Sequence, residues 1–280
     1  MQTERSLVVI TWDGKAAPLD HILVDATPQF DILVFDHSAK RQSVEVEGLS
    51  NLRLLSKSTE NKGQVFAEVY KYLYEEQTSK YKYIGVLDDD LFVSISDLNK
   101  ILFIANLEKL DVFQPSITDD SYHDHQRFIH KSGVQIVETG WIEIMCPFYK
   151  EDLFKAIYPY CHHTVSGQGI DVYLIPCLQK LMGLTKTAVV HAVQIKHCRP
   201  IQSGNKIYSN GKNNLQEIES IRNTCLELVK ENGPEVFDDH FVKTVLEVDH
   251  FKRNSLVEKW NRLVYVVKNF YKELIKLSYR

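Results

Sequence analysis

Tyr83-Ile84-Gly85-Val86-Leu87-Asp88-Asp89-Asp90 is a five-residue apolar run that ends in three adjacent carboxylates. A short apolar run bounded by polar residues reads as a buried strand. The same pattern recurs upstream. Leu7-Val8-Val9-Ile10-Thr11 runs into the turn Trp12-Asp13-Gly14, and Asp31-Ile32-Leu33-Val34-Phe35 runs into Asp36-His37-Ser38. Residues 52–55 form a weaker strand. Residues 64–77 place Phe66, Val69, Tyr70, Leu73 and Tyr74 at helical spacing, and Ser96 reads as the N-cap of a helix over 96–108. Strands alternating with helices predict crossover connections and an α/β fold, a mostly parallel sheet flanked by helices. Polar residues just past the carboxyl ends of such strands line the ligand crevice. The loops 12–14, 36–38 and 88–90 therefore mark the candidate site.

Downstream, Val112-Phe113-Gln114-Pro115 predicts a strand and the His-rich stretch 118–132 a mobile loop. Residues 134–137 and 142–145 predict a hairpin or two separate strands around Glu138-Thr139-Gly140-Trp141. A helix is expected over 150–158, and Ser166-Gly167-Gln168-Gly169 is a glycine turn opening another over 170–182. Residues 188–191 form the last expected strand, leading to His197 and Arg199-Pro200. Beyond Ile201 strand patterns stop: a polar linker over 204–214 precedes helical patterns at 215–232, 238–250 and 255–277. The expected organisation is an α/β domain over 1–203 and a helical extension over 204–280.

The chain has 280 residues, 44% hydrophobic and 25% charged, enough to bury a core without disulfides or a structural metal. Its five cysteines are widely spaced and include no C-x-x-C, so structural zinc is not expected. No apolar run reaches the roughly 20 residues of a membrane span, and the run after the N-terminus is too short for a secretory signal. A cytoplasmic location is the expectation. Lys plus Arg total 33 and Asp plus Glu 37, a net charge of −4. Residues 251–280 carry eight basic and two acidic side chains, so the remainder carries −10. An acidic body argues against a nucleic-acid partner, while the basic tail permits a local anionic one. In that tail Trp260, Leu263, Val264, Val267, Phe270, Tyr271, Leu274 and Leu277 share a helical stripe. It suits either packing on the body or peripheral contact with the inner membrane face.

Three clusters can carry chemistry. Carboxylates at the end of a strand repel one another unless a cation or donors are supplied. Strand alternation puts Asp88 and Asp90 on one side and Asp89 on the other. Such oxygens suit Mn²⁺ or Mg²⁺ completed by phosphate; a solvated acidic turn is the alternative. Asp171, after Gly167-Gln168-Gly169-Ile170, is either a base for an acceptor hydroxyl or a helix-start carboxylate whose pKa the dipole lowers. Gly140 and Gly169, with an exposed Trp141 and with Glu143, suit a sugar; a core tryptophan is the alternative. Thr11, Trp12, Asp13, Asp36 and Ser38 are candidates for a nucleotide. His191 and His197 follow the last strand, where an imidazole can join a metal near a diphosphate.

Together these segments resemble the GT-A type glycosyltransferases, the DxD-bearing nucleotide-sugar transferases. The closer resemblance is to a plant and bacterial family of unassigned function related to them. It is carried by Lys62 and the helix after it, Tyr81 to Leu91, Gln114-Pro115-Ser116, Glu143-Ile144-Met145-Cys146-Pro147-Phe148, Gly167-Gln168-Gly169-Ile170-Asp171, and His197 before Pro200. These blocks cover about residues 5–200. Gln168 stands where that family has tryptophan, and His191 where an acidic residue is frequent. The resemblance implies that Lys62, Asp88 and Asp89 face the donor, with Asp88 on the ribose or a metal-bound water. Asp90 and His197 would hold Mn²⁺ or Mg²⁺, and Asp171 would be the base. The expected function is metal-dependent, hexosyltransferase-like transfer of a sugar from a nucleotide-diphosphate sugar to a hydroxyl on a glycan or lipid-linked acceptor. By analogy the product is a bacterial surface polysaccharide. Mg²⁺-dependent nucleotidyl or phosphoryl transfer is a second reading, although no G-x-x-x-x-G-K-[ST] loop is present. A non-catalytic interaction module with a degenerate site is a third.

Overall fold

The computed structural model describes residues 5–15, 17–50, 52–75, 80–200 and 206–248. The helix expected over 255–277 lies outside the described residues, as does the end of the one expected over 238–250. The first strands form where the apolar runs predict them: β1 (Leu7–Trp12), β3 (Asp31–Asp36), β4 (Arg53–Ser56) and β5 (Tyr83–Leu87), with a two-residue strand β2 (Ile22–Leu23) between the first two. All six residues of β1 and all five of β5 are buried. The crossover helix α1 (Lys62–Tyr70) continues into a π-helical turn over Lys71–Glu75.

β4, β3, β1 and β5 lie side by side and parallel. The chain builds leftward from β1 through β3 to β4, then returns to place β5 on the other flank of β1. The order of strands therefore reverses between β1 and β5, which opens a crevice at their carboxyl ends. The full sheet has ten strands and is mixed. After β5 come β6 (Leu91–Ser94), helix α2 (Ile95–Glu108) and β7 (Val112–Ile117), then β8 (Ile136–Glu138), β9 (Phe148–Lys150) and helix α3 (Glu151–Ile157). Helix α4 (Ile175–Met182), the long β10 (Thr187–His197) and helix α5 (Asn214–Asn232) complete it. β9 is wedged antiparallel between β5 and β7, so the sheet is not parallel throughout. Gly85 is explained there. Its partner across the ladder is Phe148, whose ring would stand 2.4 Å from a β-carbon at position 85. Phe148 stacks on Phe113 at 5.0 Å, and Tyr83 meets Phe113 edge-on at 5.1 Å. Offset and edge-on aromatic pairs are favourable beyond the area they bury.

Several expectations are corrected. The N-cap of α2 is Ser94, not Ser96; its side chain accepts from the Asp97 amide. The intervening β6 was hidden because four residues after an acidic turn carry no periodicity. Residues 142–145 form no strand, whereas β8 pairs antiparallel with β10. The stretch 118–132 is anchored by Phe128, which is fully buried. The four cysteines Cys146, Cys161, Cys177 and Cys225 are buried free thiols and Cys198 is an exposed one. The described residues up to Leu246, α5 included, belong to one compact unit. Among the described residues no helix is long and apolar enough to cross a membrane.

Candidate active site

β6 brings the acidic cluster to the end of the chain's last strand. It follows Asp90 directly and pairs antiparallel with the far end of β10, in a register that sets Leu91 opposite His197. A bulge between Val190 and Gln194 interrupts the ladder of β10 with β7, which resumes at Gln194 and Ile195, and β6 pairs with the end of β10 on its other edge. Asp90 and His197, 107 positions apart, are thereby adjacent: Asp90 Oδ2 lies 3.3 Å from His197 Nε2. His197 Nδ1 donates to the Tyr122 carbonyl at 2.8 Å, which fixes the ring and aims Nε2 at Asp90. Burial draws the His197 pKa down, but hydrogen bonding and attraction from Asp90 prevail and leave it raised. The second oxygen of Asp90, Oδ1, is buried with no hydrogen-bond partner among the described residues.

Asp88 faces the opposite wall, where Lys62, at the start of α1, holds it at 2.5 Å. The Lys62 ammonium also donates to Val86 O at 2.9 Å and approaches Met145 O at 3.5 Å. Lys62 is only 5% exposed. With its three protons taken, it positions Asp88 and does not reach a donor, which corrects the sequence expectation. Lost hydration and the neighbouring Asp90 and Asp89 outweigh Lys62, so the Asp88 pKa is raised. Strand alternation does not persist through the cluster. The chain turns at Asp89-Asp90, so one guanidinium reaches both: Arg199 contacts Asp89 through Nη2 and Asp90 Oδ2 through Nε at 3.1 Å. His37 Nε2 lies 3.6 Å from Asp89. Burial raises Asp89, but His37 and Arg199 override it and hold the carboxyl below the ordinary range.

Four nucleotide candidates are corrected. Asp36 is fully buried and accepts from Ser38 N, Ser38 Oγ, Lys40 N, Arg41 N and Ser56 Oγ at 2.6–2.9 Å. Burial pushes its pKa up, but those donors prevail and bring it to about 2. Asp36 therefore ties the loop together and has no lone pair to offer, and the Ser38 hydroxyl is spent on it. Trp12 is 5% exposed, with the Arg41 guanidinium 5.2 Å from its ring centroid, so it offers no face to a base. Thr11 is buried in the ladder beside Phe35. Asp13 is partly exposed and lies within the electrostatic field of Arg199.

On the acceptor side, Trp141 is not the exposed platform expected for a sugar. It is 6% exposed, and its ring meets Phe128 edge-on at 5.0 Å and His125 at 4.9 Å. Gly169 is also structural: a β-carbon there would stand 3.1 Å from Ile221 of α5. Gly140 is exposed with open space beside it. His191 is buried and accepts from Lys131 N at 3.1 Å, a structural histidine. Glu143 and Asp171 are the informative pair. Asp171 lies in a π-helical turn over Ile170–Leu174, an irregularity frequent at functional sites. The helix-start reading of a lowered pKa is overturned. Burial raises Asp171 to about 7 despite backbone donors at Val172 and Ile144. Glu143, its neighbour in the electrostatic sense, is raised to about 8 by burial and then by Asp171 and Asp124; its Oε2 is buried without a partner among the described residues. Two buried carboxyl groups raised to about 7 and about 8 are unusual, and such groups concentrate at functional sites.

The turn that carries Asp171 packs against the start of α1. A β-carbon at Gly63 would stand 2.0 Å from Thr164 O, a backbone atom that cannot rotate away. Gly63→Ala is therefore expected to cost about 1–3 kcal/mol, read as a lower urea midpoint at unchanged slope. An unchanged midpoint would contradict this packing.

No cluster of three or more His, Cys, Asp or Glu side chains arranged for a metal is present among the described residues. A divalent ion would therefore have Asp90 and His197 as protein ligands, with the ligand's phosphate and water completing its shell. The buried, unpartnered Asp90 Oδ1 and the oriented imidazole nitrogen fit such an ion. Arg199 and His37 escaped the sequence reading as site residues, since only the topology brings them to Asp89.

No family model matches the chain, and no curated protein matches its sequence. Solved structures do match its fold. S. aureus TarS 1-349 in complex with UDP-GlcNAc aligns at TM-score 0.53 and 11% identity over 81% of this chain and 66% of that one. The same TarS segment with UDP aligns at 0.54 and 10% identity, over 92% and 78%. GalNAc-T7 with UDP, GalNAc and Mn²⁺ aligns at 0.51 and 12% identity, over 92% and 54%. The chain thus spans just under two thirds of the first of these. At such identities the likeness shows the architecture alone: an α/β, GT-A-like fold.

Proposed function

We propose that this protein is a glycosyltransferase that moves a sugar from a nucleotide-diphosphate sugar to a hydroxyl on a glycan or lipid-linked acceptor. The observation that carries the reading is the Asp90–His197 pair at the switch-point crevice, with Asp90 Oδ1 buried and unpartnered among the described residues and His197 Nε2 held 3.3 Å from Oδ2. The printed ligands of the fold neighbours, UDP, UDP-GlcNAc and Mn²⁺, support it as analogy. A divalent ion bound there would neutralise charge growing on the departing diphosphate.

The chain's own residues supply the rest. Lys62 holds Asp88 in one orientation toward the donor. The Asp171 carboxylate accepts the acceptor's hydroxyl proton. The hydroxyl oxygen bonds to the anomeric carbon as the bond from that carbon to the diphosphate oxygen breaks, its electron pair leaving on the diphosphate. Glu143, neutral at pH 7, offers a proton to an acceptor oxygen and so orients it. Arg199, long and half exposed, gives up Asp89 and Asp90 to a stronger cation and turns to the diphosphate. Arg199→Gln is accordingly expected to tighten Mn²⁺ binding in a calorimetric titration while slowing turnover. Unchanged Mn²⁺ affinity would remove that competition. The extension after residue 203 contributes α5 as a support of the acceptor side, and its basic end is a proposed contact with an anionic membrane.

A melting-point screen of nucleotide sugars with and without Mn²⁺ tests the reading. A ligand at 100 times its Kd stabilises by about 2.7 kcal/mol. Stabilisation by a nucleotide-diphosphate sugar that requires Mn²⁺ is expected. Preference for a free triphosphate would favour nucleotidyl transfer, and no response would favour a non-catalytic module.

A further inference from the structure

Glu217 lies in the first turn of α5 and is fully buried. Its carboxyl oxygens accept from Val165 N at 2.7 Å, Ser166 N at 2.9 Å, Thr164 Oγ1 at 3.1 Å, the Ser166 hydroxyl, and Asn210 Nδ2 at 2.6 Å. A carboxyl group is retained in a core only where donors replace water. Four of these five donors belong to one loop, residues 164–166, some fifty positions upstream.

That loop has two other attachments. On one side Val165 O accepts from Gly63 N at 3.0 Å. The residue before Gly63 is Lys62, which holds Asp88. On the other side the loop runs through Gly167 and Gly169, at φ of +84° and +87°, into the π-helical turn bearing Asp171. Both angles lie where only glycine is unstrained. Gly169 abuts Ile221 and Ile218, one turn along the helix that carries Glu217. One helix thus grips one loop, and the loop's two ends reach the two halves of the site.

We propose that Glu217 is a positioning residue that fixes the Lys62–Asp88 pair and the Asp171 carboxyl group relative to one another. This rests on the reading of Asp88 as a donor-side group and Asp171 as the proton acceptor. In-line transfer needs both partners held to a fraction of an ångström, and misplacement of about 1 Å can cost about a hundredfold in rate. The positioning role falls to the Glu217 carboxyl group, not to the helix as a whole.

The test compares full-length Glu217→Gln with Asn213→Ala. The second removes the N-cap of α5, whose side chain accepts from the Gln216 amide, and leaves the carboxyl group in place. In Glu217→Gln, hydrogen exchange is expected to quicken by about tenfold or more over residues 61–65 and 164–174, with β1 and β3 unchanged. Donor turnover is expected to lose about tenfold or more in kcat with KM changed by less than about threefold. Asn213→Ala is expected to lower Tm yet keep kcat at temperatures below it. Equal kcat losses in the two variants, or unchanged exchange over 164–174, would overturn the proposal. Should Glu217→Gln not fold, Ser166→Ala removes one donor and must shift exchange and kcat in the same directions; no shift overturns it. If the wild-type protein turns over no nucleotide sugar, the reading of function fails, and the exchange comparison still decides whether Glu217 sets the loop.

Discussion

Asp171→Asn is expected to slow sugar transfer by about 10²–10⁴-fold, the range a general base contributes, while donor binding holds. The same change is expected to stabilise the protein at pH 8. Asp171 is 9% exposed, and burial raises its carboxyl from 3.8 to about 7. The folded state then binds the proton more tightly than the unfolded chain, so keeping Asp171 ionised costs folding energy. That cost is absent below pH 4, grows between pH 4 and 7 and is constant above, at a ceiling on the order of 4 kcal/mol. Asparagine removes it, so the stability gain must appear as pH rises through that window. Wild-type kcat/KM is expected to fall about tenfold per pH unit below about 7 as the base is protonated. A flat profile between pH 5.5 and 8, or a destabilised Asp171→Asn at pH 8, would exclude this role. Loss of activity joined to a gain of stability is the pattern of a residue retained for chemistry.

Asp90→Asn is expected to weaken Mn²⁺ binding by about a hundredfold or more. Even outer-shell partners of a metal are worth 10–100-fold, and Asp90 would be one of only two protein ligands. The substitution keeps size and shape, so the fold should survive. It also removes one of the two anchors of Arg199, which would remain on Asp89. Full Mn²⁺ affinity in this variant would show that the ion, if any, binds elsewhere. Replacing Lys62 would not mimic the effect, because Lys62 touches Asp88 alone among the three acids.

The crevice was legible in the sequence because its strands are. β1, β3 and β5 each hold an uninterrupted apolar run (7–10, 32–35 and 83–87), and the polar residues that follow must emerge at one edge of a sheet built by crossovers. The Gly-x-Gly turn before Asp171 was legible for a similar reason: two residues at positive φ leave a mark in residue type. The misreadings share a cause. Periodicity reports which way a side chain faces locally, not what it meets across the fold. Asp36 looks like a ligand-facing acid until five donors from its own loop and from β4 are counted. Trp141 beside a glycine looks exposed until Phe128 and His125 close on it. β9 was hidden because three residues leading straight into α3 carry no alternation, and an antiparallel wedge needs no crossover. Glu217 was hidden for a stronger reason. In sequence it is an ordinary acid near a helix start, and only the fold delivers 164–166 to it.

Asp90 and His197 are proposed to hold a divalent cation that in turn holds a diphosphate. Crystals grown with Mn²⁺ and UDP test it most directly, through the anomalous signal of manganese. A single strong peak is expected between Asp90 and His197 Nε2, with the UDP diphosphate beside it and Arg199 moved off Asp90. UDP bound with no manganese at that position, and Arg199 still bridging Asp89 and Asp90, would contradict it.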